Sequence, residues 1–423
     1  MAKLVHVIGA GLAGLAAAVQ LQRRGVQVVL HEAAAYAGGR CRSYYDRTLG
    51  ATIDNGNHLV LSGNYATLNY VRAIGAADQL VGPSQPEFAF MDLATQARWM
   101  LRLSPGRVPG WVFDAQMRVP GTQALDYLSL APLLLARPGR TMAQTMRCNG
   151  VLWDRLWHPL FLAVLNIEPR EGTAQLAAEV VRETLVAGGE ACRPLVARNG
   201  LGSAFIDPAL RLLQHGGASI RLGARLKHIE FAASGTHRVD ALNFANERIV
   251  LEPNHAVVLA VPPNVAQTLV PGVQTPQRFS SIVNLHFAVE PPPGLALMTG
   301  LINATAEWLF AFDGRLSVTI SGADRLLDTP REDLARQVWA EVAQVAGLPV
   351  EPLPNWQIVS EKRATFAAVP QEEMRRPAAQ TRWNNLTLAG DWTATGLPAT
   401  IEGAIRSGQK AADLLLNKPM DSR

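Results

Sequence analysis

Three glycines and one acid near the start of the chain have the types and spacing to hold a nucleotide. Val5-His6-Val7-Ile8-Gly9-Ala10-Gly11-Leu12-Ala13-Gly14 reads as an apolar strand, a glycine turn and the start of a helix. A second strand, Val26 to Leu30, follows, and Glu32 stands 18 residues after Gly14. In a βαβ unit of this kind Gly9 permits the tight turn and Gly11 lets the backbone approach a pyrophosphate. Gly14 lets the helix pack on the strand, with the N–H groups of the Leu12-Ala13 turn facing the phosphates. Glu32, followed by Ala33, can accept both hydroxyls of an adenosine ribose and would repel a 2′-phosphate. The same glycines serve elsewhere as plain structural turns, but here strand, helix, strand and acid stand in order. The pattern calls for an ADP-containing cofactor and leaves NAD and FAD open.

Two further groups extend the site. Gly38-Gly39-Arg40 frees the backbone to lie against a large ligand, and its arginine can neutralise a diphosphate. Cys41 beside it reads as packing. Near the C-terminus Ala389-Gly390-Asp391 follows a strand, and Thr400-Ile401-Glu402-Gly403 opens a helix whose N–H groups can face the electron-poor end of a ring. Asp391 alone would fit a helix cap equally well. Asp54, Asn57 and His58 lie on a glycine-flanked turn, and Trp157-His158-Pro159 leads an apolar run to Asn166. His58 titrates in the range of a general acid, though a hydrogen-bonded structural histidine fits as well. His158, among Trp, Pro, Leu and Phe, reads as a core residue. Asp54, Asn57 and Asn166 can orient a hydroxyl or a water.

The elements that position these groups fall in separate stretches. The chain has 423 residues, 48% hydrophobic and only 17% charged, which predicts two domains and generous buried surface. The net charge of +4 comes without a Lys/Arg run, so nucleic acid is set aside as a partner. Cys41, Cys148 and Cys192 make no CxxC pair and no metal spacing, which fits a reducing cytoplasm. No apolar run approaches a membrane span. After Tyr65 the texture predicts helices and irregular apolar segments to about Arg198. Strands return from Ser219, closing on Val257 to Pro263. A mixed segment follows, with strands at Ile282 to Val289 and Leu316 to Ile320 and a helix over Arg331 to Ala346. The last helix is predicted over Ile401 to Leu416.

In combination, these motifs resemble those of the flavin amine oxidase/phytoene desaturase superfamily. The resemblance implies an α/β fold: a Rossmann-like FAD-binding domain of amine-oxidase type, built from 1–62, 198–273 and 380–417. The inserted α+β substrate-binding domain would comprise 63–197 and 274–379. It implies FAD rather than NAD, with Leu226 supplying a backbone contact on the adenine side. The absence of any cysteine after Cys192 predicts a non-covalent flavin. A narrower resemblance, through Asp54-Asn55-Gly56-Asn57-His58 and the Trp157 to Asn166 run, is to the squalene-associated hydroxysqualene dehydroxylases. Those enzymes usually carry Gln where this chain has Asn57, and Thr-Pro after the asparagine where it has Ile167-Glu168-Pro169.

The implied chemistry is reductive: hydroxysqualene and reduced FAD give squalene, water and FAD. The allylic alcohol leaves as water once protonated, and a hydride from flavin N5 quenches the cation. His58, Asp54 and Asn166 are the candidates for catalysis, and a dry apolar tunnel must exclude water. The partners implied are a lipophilic C30 isoprenoid, an unnamed reductant and, as candidates, the synthases upstream in the squalene pathway. Residues 94–140 mix Trp99, Met100, Trp111, Phe113 and Leu128 to Leu135 with six arginines against two aspartates. They predict a surface that meets anionic lipid, on a protein peripheral to the inner face of the cytoplasmic membrane. The alternatives are a carotenoid-type desaturase, an amine oxidase with Trp392 in an aromatic cage, and a non-enzymatic lipid escort.

Overall fold

A computed structural model describes residues 2–233 and 237–417. A five-stranded parallel sheet carries the nucleotide motif, in the order Ser219–Arg221, Gln27–His31, Leu4–Ile8, His255–Leu259, Leu386–Leu388. The central strands are buried on both faces, as the near-continuous apolar runs LVHVI and HAVVL require. On one face lie the helices Leu12–Arg23 and Ile401–Leu416. They approach so closely that a Cβ on Gly408 would strike the carbonyl of Ala13. On the other face lies an antiparallel three-stranded sheet, Leu226–Phe231, Val239–Phe244 and Arg248–Val250. Ile229 and Leu242 join Val257 and Leu259 in one core.

A second, seven-stranded sheet runs Trp356–Phe366, Phe279–Phe287, Arg315–Ile320, Trp308–Phe312, Met298–Ile302, Glu87–Asp92, Arg98–Arg102. The helix Arg331–Ala346 has the range its apolar periodicity predicts and closes one face with Leu334, Val338, Trp339 and Val342.

The stretch after Tyr65 holds the expected helices, at Tyr65–Ala73, His158–Leu165 and Ala174–Glu183, and also strands that its apolar texture did not predict. Glu87–Asp92 and Arg98–Arg102 form a hairpin, and its first strand pairs in parallel with Met298–Ile302. Phe88 and Phe90 point to one face and Ala89 and Met91 to the other, a period of two too short to stand out among apolar neighbours. Beyond it, residues 103–140 hold only short helical pieces at Gly110–Phe113, Ala124–Leu130 and Ala131–Leu134. Pro105, Pro109, Pro120, Pro132 and Pro138 interrupt any longer helix.

Candidate active site

The first glycine turn is fixed by close backbone contacts. Gly9 has φ of 106°, and a Cβ there would strike the Ala260 carbonyl at the end of the neighbouring strand. A Cβ on Gly14 would strike the Gly9 carbonyl, so helix and turn touch through backbone alone. Around Gly11 the opposite holds: a Cβ would meet no atom within 4 Å. No side chain caps the N-terminus of the helix that Gly11 precedes. Its N–H groups and positive dipole end are therefore presented at an open backbone surface. Gly38 stacks on this turn, its N–H donating to the Ala10 carbonyl at 2.8 Å and its backbone bridging to Gly11.

Glu32 is half-buried and has two tasks. Its Oε2 accepts from the Ala10 N–H and its Oε1 from the Ala34 N–H, each at 2.8 Å. A carboxylate has about four acceptor positions, so capacity for ribose hydroxyls remains. Ala33 is exposed beside it. The Ala224 N–H donates to the Glu32 carbonyl at 2.7 Å, which carries Leu226, at the start of its strand, toward the same acid. The structure thus gathers Gly9, Gly11, Leu12, Ala13, Gly14, Glu32, Ala33, Gly38, Gly39 and Leu226 around one backbone cradle.

The C-terminal motif reaches the cradle through Arg40. Its guanidinium donates to Asp391 at 2.7 Å and to the Ala364 carbonyl at 2.5 Å, and the Asp391 charge holds it firmly protonated. The Gly390 N–H donates to Ser407 Oγ at 2.9 Å, tying the turn to the last helix. Thr400 caps that helix by accepting from the Gly403 N–H at 3.0 Å, with Ile401 buried behind it. Trp392 is 2% exposed and donates its indole N–H to the Val261 carbonyl. It is a pillar under the turn, not a wall of an aromatic cage.

The candidate catalytic residues part company. His58 is half-buried on the loop after Ala51–Asp54, and burial together with the Arg40 charge pushes its imidazole down to about 4. It is neutral at pH 7, which corrects the expectation of a group titrating near neutrality. Asn57 is spent on the large sheet: its Oδ1 accepts from Ser317 at 3.0 Å and its Nδ2 donates to Thr319 at 3.1 Å. It braces the His58 loop against that sheet. Asp54 is buried, and Ser43 and the Leu201 N–H both donate to its Oδ1. Burial pushes this carboxyl up.

Asn166 ends its helix in the left-handed region, at φ of 52°. Its Nδ2 donates to Thr365 at 2.9 Å and its Oδ1 accepts from the Gly322 N–H at 2.7 Å. With 1% exposure it is a brace between helix and sheet, and the role of orienting a substrate hydroxyl falls away. His158 also departs from its reading: it is half-exposed and 3.3 Å from Glu168, not in the core. Composition and spacing gave no sign of Glu307. This buried acid accepts from the Ser321 N–H at 2.8 Å and is pushed up to about 7 by burial. Ser321 adjoins Gly322, so Glu307 and Asn166 grip successive residues.

A model of the flavin-containing amine oxidoreductase family matches residues 12–416. The chain belongs to that family. It is 55% identical to a hydroxysqualene dehydroxylase of Rhodopseudomonas palustris over 417 residues, covering 98% of this chain and 99% of that one. It is 52% identical to a hydroxysqualene dehydroxylase of Sinorhizobium fredii, covering 99% of each. Among solved structures it superposes on a putrescine oxidase double mutant with a TM-score of 0.71, at 18% identity, covering 98% of this chain and 99% of that one. As a flavin-containing amine oxidoreductase the chain is an FAD-dependent oxidoreductase. The open Gly11 surface, the uncapped helix and the spare acceptors of Glu32 fit FAD. The Arg40–Asp391 pair joins the first and last segments of the nucleotide sheet around that surface. Cys41 and Cys192 are buried, and burial pushes their thiols up to about 12.

Proposed function

We propose that the protein reduces hydroxysqualene to squalene and water. The near-full-length likeness to two enzymes of that name carries the reading. Reduced FAD, held by the Gly9–Gly14 turn, Glu32, Gly38, Gly39, Arg40 and the Gly390-Asp391 turn, supplies the hydride when bound. The protein's own tasks are to bind an apolar chain, to protonate the departing hydroxyl and to keep water from the allylic cation. We assign the hydroxyl end to the His58 loop. A neutral His58 can relay a proton without placing a second cation beside the one forming on the substrate. Asp54, also raised by burial, lies at the base of that loop. The inserted segments 63–197 and 274–379 form the substrate-binding part in this reading, and 1–62, 198–273 and 380–417 the FAD-binding part.

The segment 94–140 is assigned to the lipid surface that delivers such a substrate. Val108, Phe113, Leu125, Leu128 and Leu135 are between 64% and 83% exposed, while Trp111 and Leu133 anchor the segment from beneath. Arg102, Arg107, Arg137 and Arg140 are exposed on the same stretch. Protruding apolar side chains among arginines suit the interface of an anionic bilayer. Among the described residues no helix is long and apolar enough to cross a membrane. The reading is tested by supplying the purified protein with hydroxysqualene and reductant. Squalene should accumulate only with both present, and its absence with both would refute the assignment.

A further inference from the structure

Arg376 is a buried cation that none of the motifs includes. It follows the short helix Pro370–Glu373, and its side chain is wholly inaccessible. Its guanidinium lies 4.6 Å from the centroid of the Phe366 ring. One edge meets Glu373 at 2.7 Å. Nε and Nη2 are spent on the turn that begins at Asp391. Nε donates to the Thr393 carbonyl at 3.0 Å. Nη2 donates to the Asp391 carbonyl at 3.1 Å, the Thr393 carbonyl at 2.5 Å and Thr395 Oγ1 at 2.8 Å. The Ala394 N–H returns a bond to the Pro377 carbonyl at 2.8 Å.

Two arginines therefore hold Asp391 from opposite ends, Arg40 by the carboxylate and Arg376 by the backbone carbonyl. A burial this complete costs free energy that a merely structural position could avoid with an apolar side chain. The planar fork suits the position because Glu373 and three acceptors on the turn lie around it, and five spread N–H groups meet them where an ammonium has three on one atom. The turn lies between the Leu386–Leu388 strand and the Ile401–Leu416 helix, in the segment that carries Gly390, Asp391, Thr400 and Ile401, the residues expected from the sequence to contact the cofactor. We propose that Arg376 is a positioning residue for the flavin. It fixes the Asp391–Thr395 turn in its binding shape, and its charge favours the reduced, more anionic form of the cofactor. The proposal rests on the FAD assignment but not on the substrate.

The test is FAD titration of the apoprotein, with the midpoint potential of the reconstituted flavin as second readout. Arg376→Gln should weaken FAD binding by about tenfold or more, the loss of one or two charged hydrogen bonds, and make the potential more negative. Arg376→Lys should keep much of the potential but still bind FAD more weakly. Glu373→Gln, which leaves the fork on the turn, should lower thermal stability while FAD affinity stays within about twofold. Parent-level affinity and potential in folded Arg376→Gln would overturn the proposal. Should that variant not fold, parent-level FAD affinity in Arg376→Lys would overturn it. A parent protein that takes up no FAD would instead overturn the cofactor assignment itself.

Discussion

Arg40 and Asp391 lie 351 residues apart in the chain and meet at 2.7 Å. One follows Gly38-Gly39 and the other lies on the turn after the Leu386–Leu388 strand of the nucleotide sheet, so the pair closes the site on itself. The Arg40 side chain is 43% exposed and that of Asp391 8%. Solvent around Arg40 keeps the pair's contribution to folding near ~1 kcal/mol. Its larger effect falls on the cofactor. Asp391→Asn is expected to weaken FAD binding at least about tenfold while the apoprotein melts within a few degrees of the parent. Equal FAD affinity in fluorescence-quenching titrations of the two proteins would refute this role.

His58 gives a prediction in pH. Its folded value of about 4 lies below the ordinary 6.5, so above pH 5 the imidazole is already neutral. The kcat/KM profile of the free enzyme should then show no limb near 6.5 that disappears in His58→Asn. The same substitution should lower kcat by about a hundredfold or more with FAD still bound, the usual effect of losing a proton-transfer group. A limb near 6.5 that vanishes with His58 would contradict the neutral assignment. Unchanged kcat would remove the residue from the chemistry.

Buried histidines make the fold sensitive to acid. His6 and His31 meet at 3.1 Å between adjacent parallel strands, with His255, Arg221 and the Phe244 ring around them. Burial first, then those neighbouring charges, pushes them down to about 4 and about 3, and His286, beside Arg315, to about 3. The unfolded chain takes up protons from pH 6.5 downward while the folded chain resists. Stability is therefore full above pH 6.5 and is lost as pH falls toward 3–4. Each histidine contributes on the order of 3 kcal/mol across that range. Chemical denaturation at pH 7, 6, 5 and 4 should show a steady fall, and His31→Phe should flatten it. A midpoint independent of pH would contradict the burial argument.

The exposed apolar side chains of 94–140 should act without affecting the fold. Phe113 is 74% exposed and Leu135 83%. A Phe113→Asp, Leu135→Asp double variant should change stability by only about 0.5 kcal/mol. It should nevertheless fail to float with anionic vesicles at low salt, where the parent floats. A parent left at the bottom of the gradient would remove the membrane assignment and leave the reductase reading intact.

Local chemistry made part of this protein legible in its sequence. The Gly9–Gly14 turn, Glu32 and the helices Arg331–Ala346 and Ile401–Leu416 depend on spacing within one or two elements, which a linear reading captures. Long-range pairing was not legible. The Glu87–Arg102 hairpin is a strand pair because Met298–Ile302 lies beside it. Asn166 resembled a site residue, but its partners are Gly322 and Thr365, more than 150 residues away. Asn57 is likewise defined by the Ser317 and Thr319 hydroxyls from the distant large sheet, and Arg376 by carbonyls of a turn that no periodicity marks.

The central claim concerns the direction of electron flow. Anaerobic, photoreduced enzyme mixed with hydroxysqualene should regain its oxidised flavin absorption, with one squalene formed for each flavin reoxidised. Flavin that stays reduced while hydroxysqualene persists would contradict the account, as would bleaching of the oxidised enzyme by an amine.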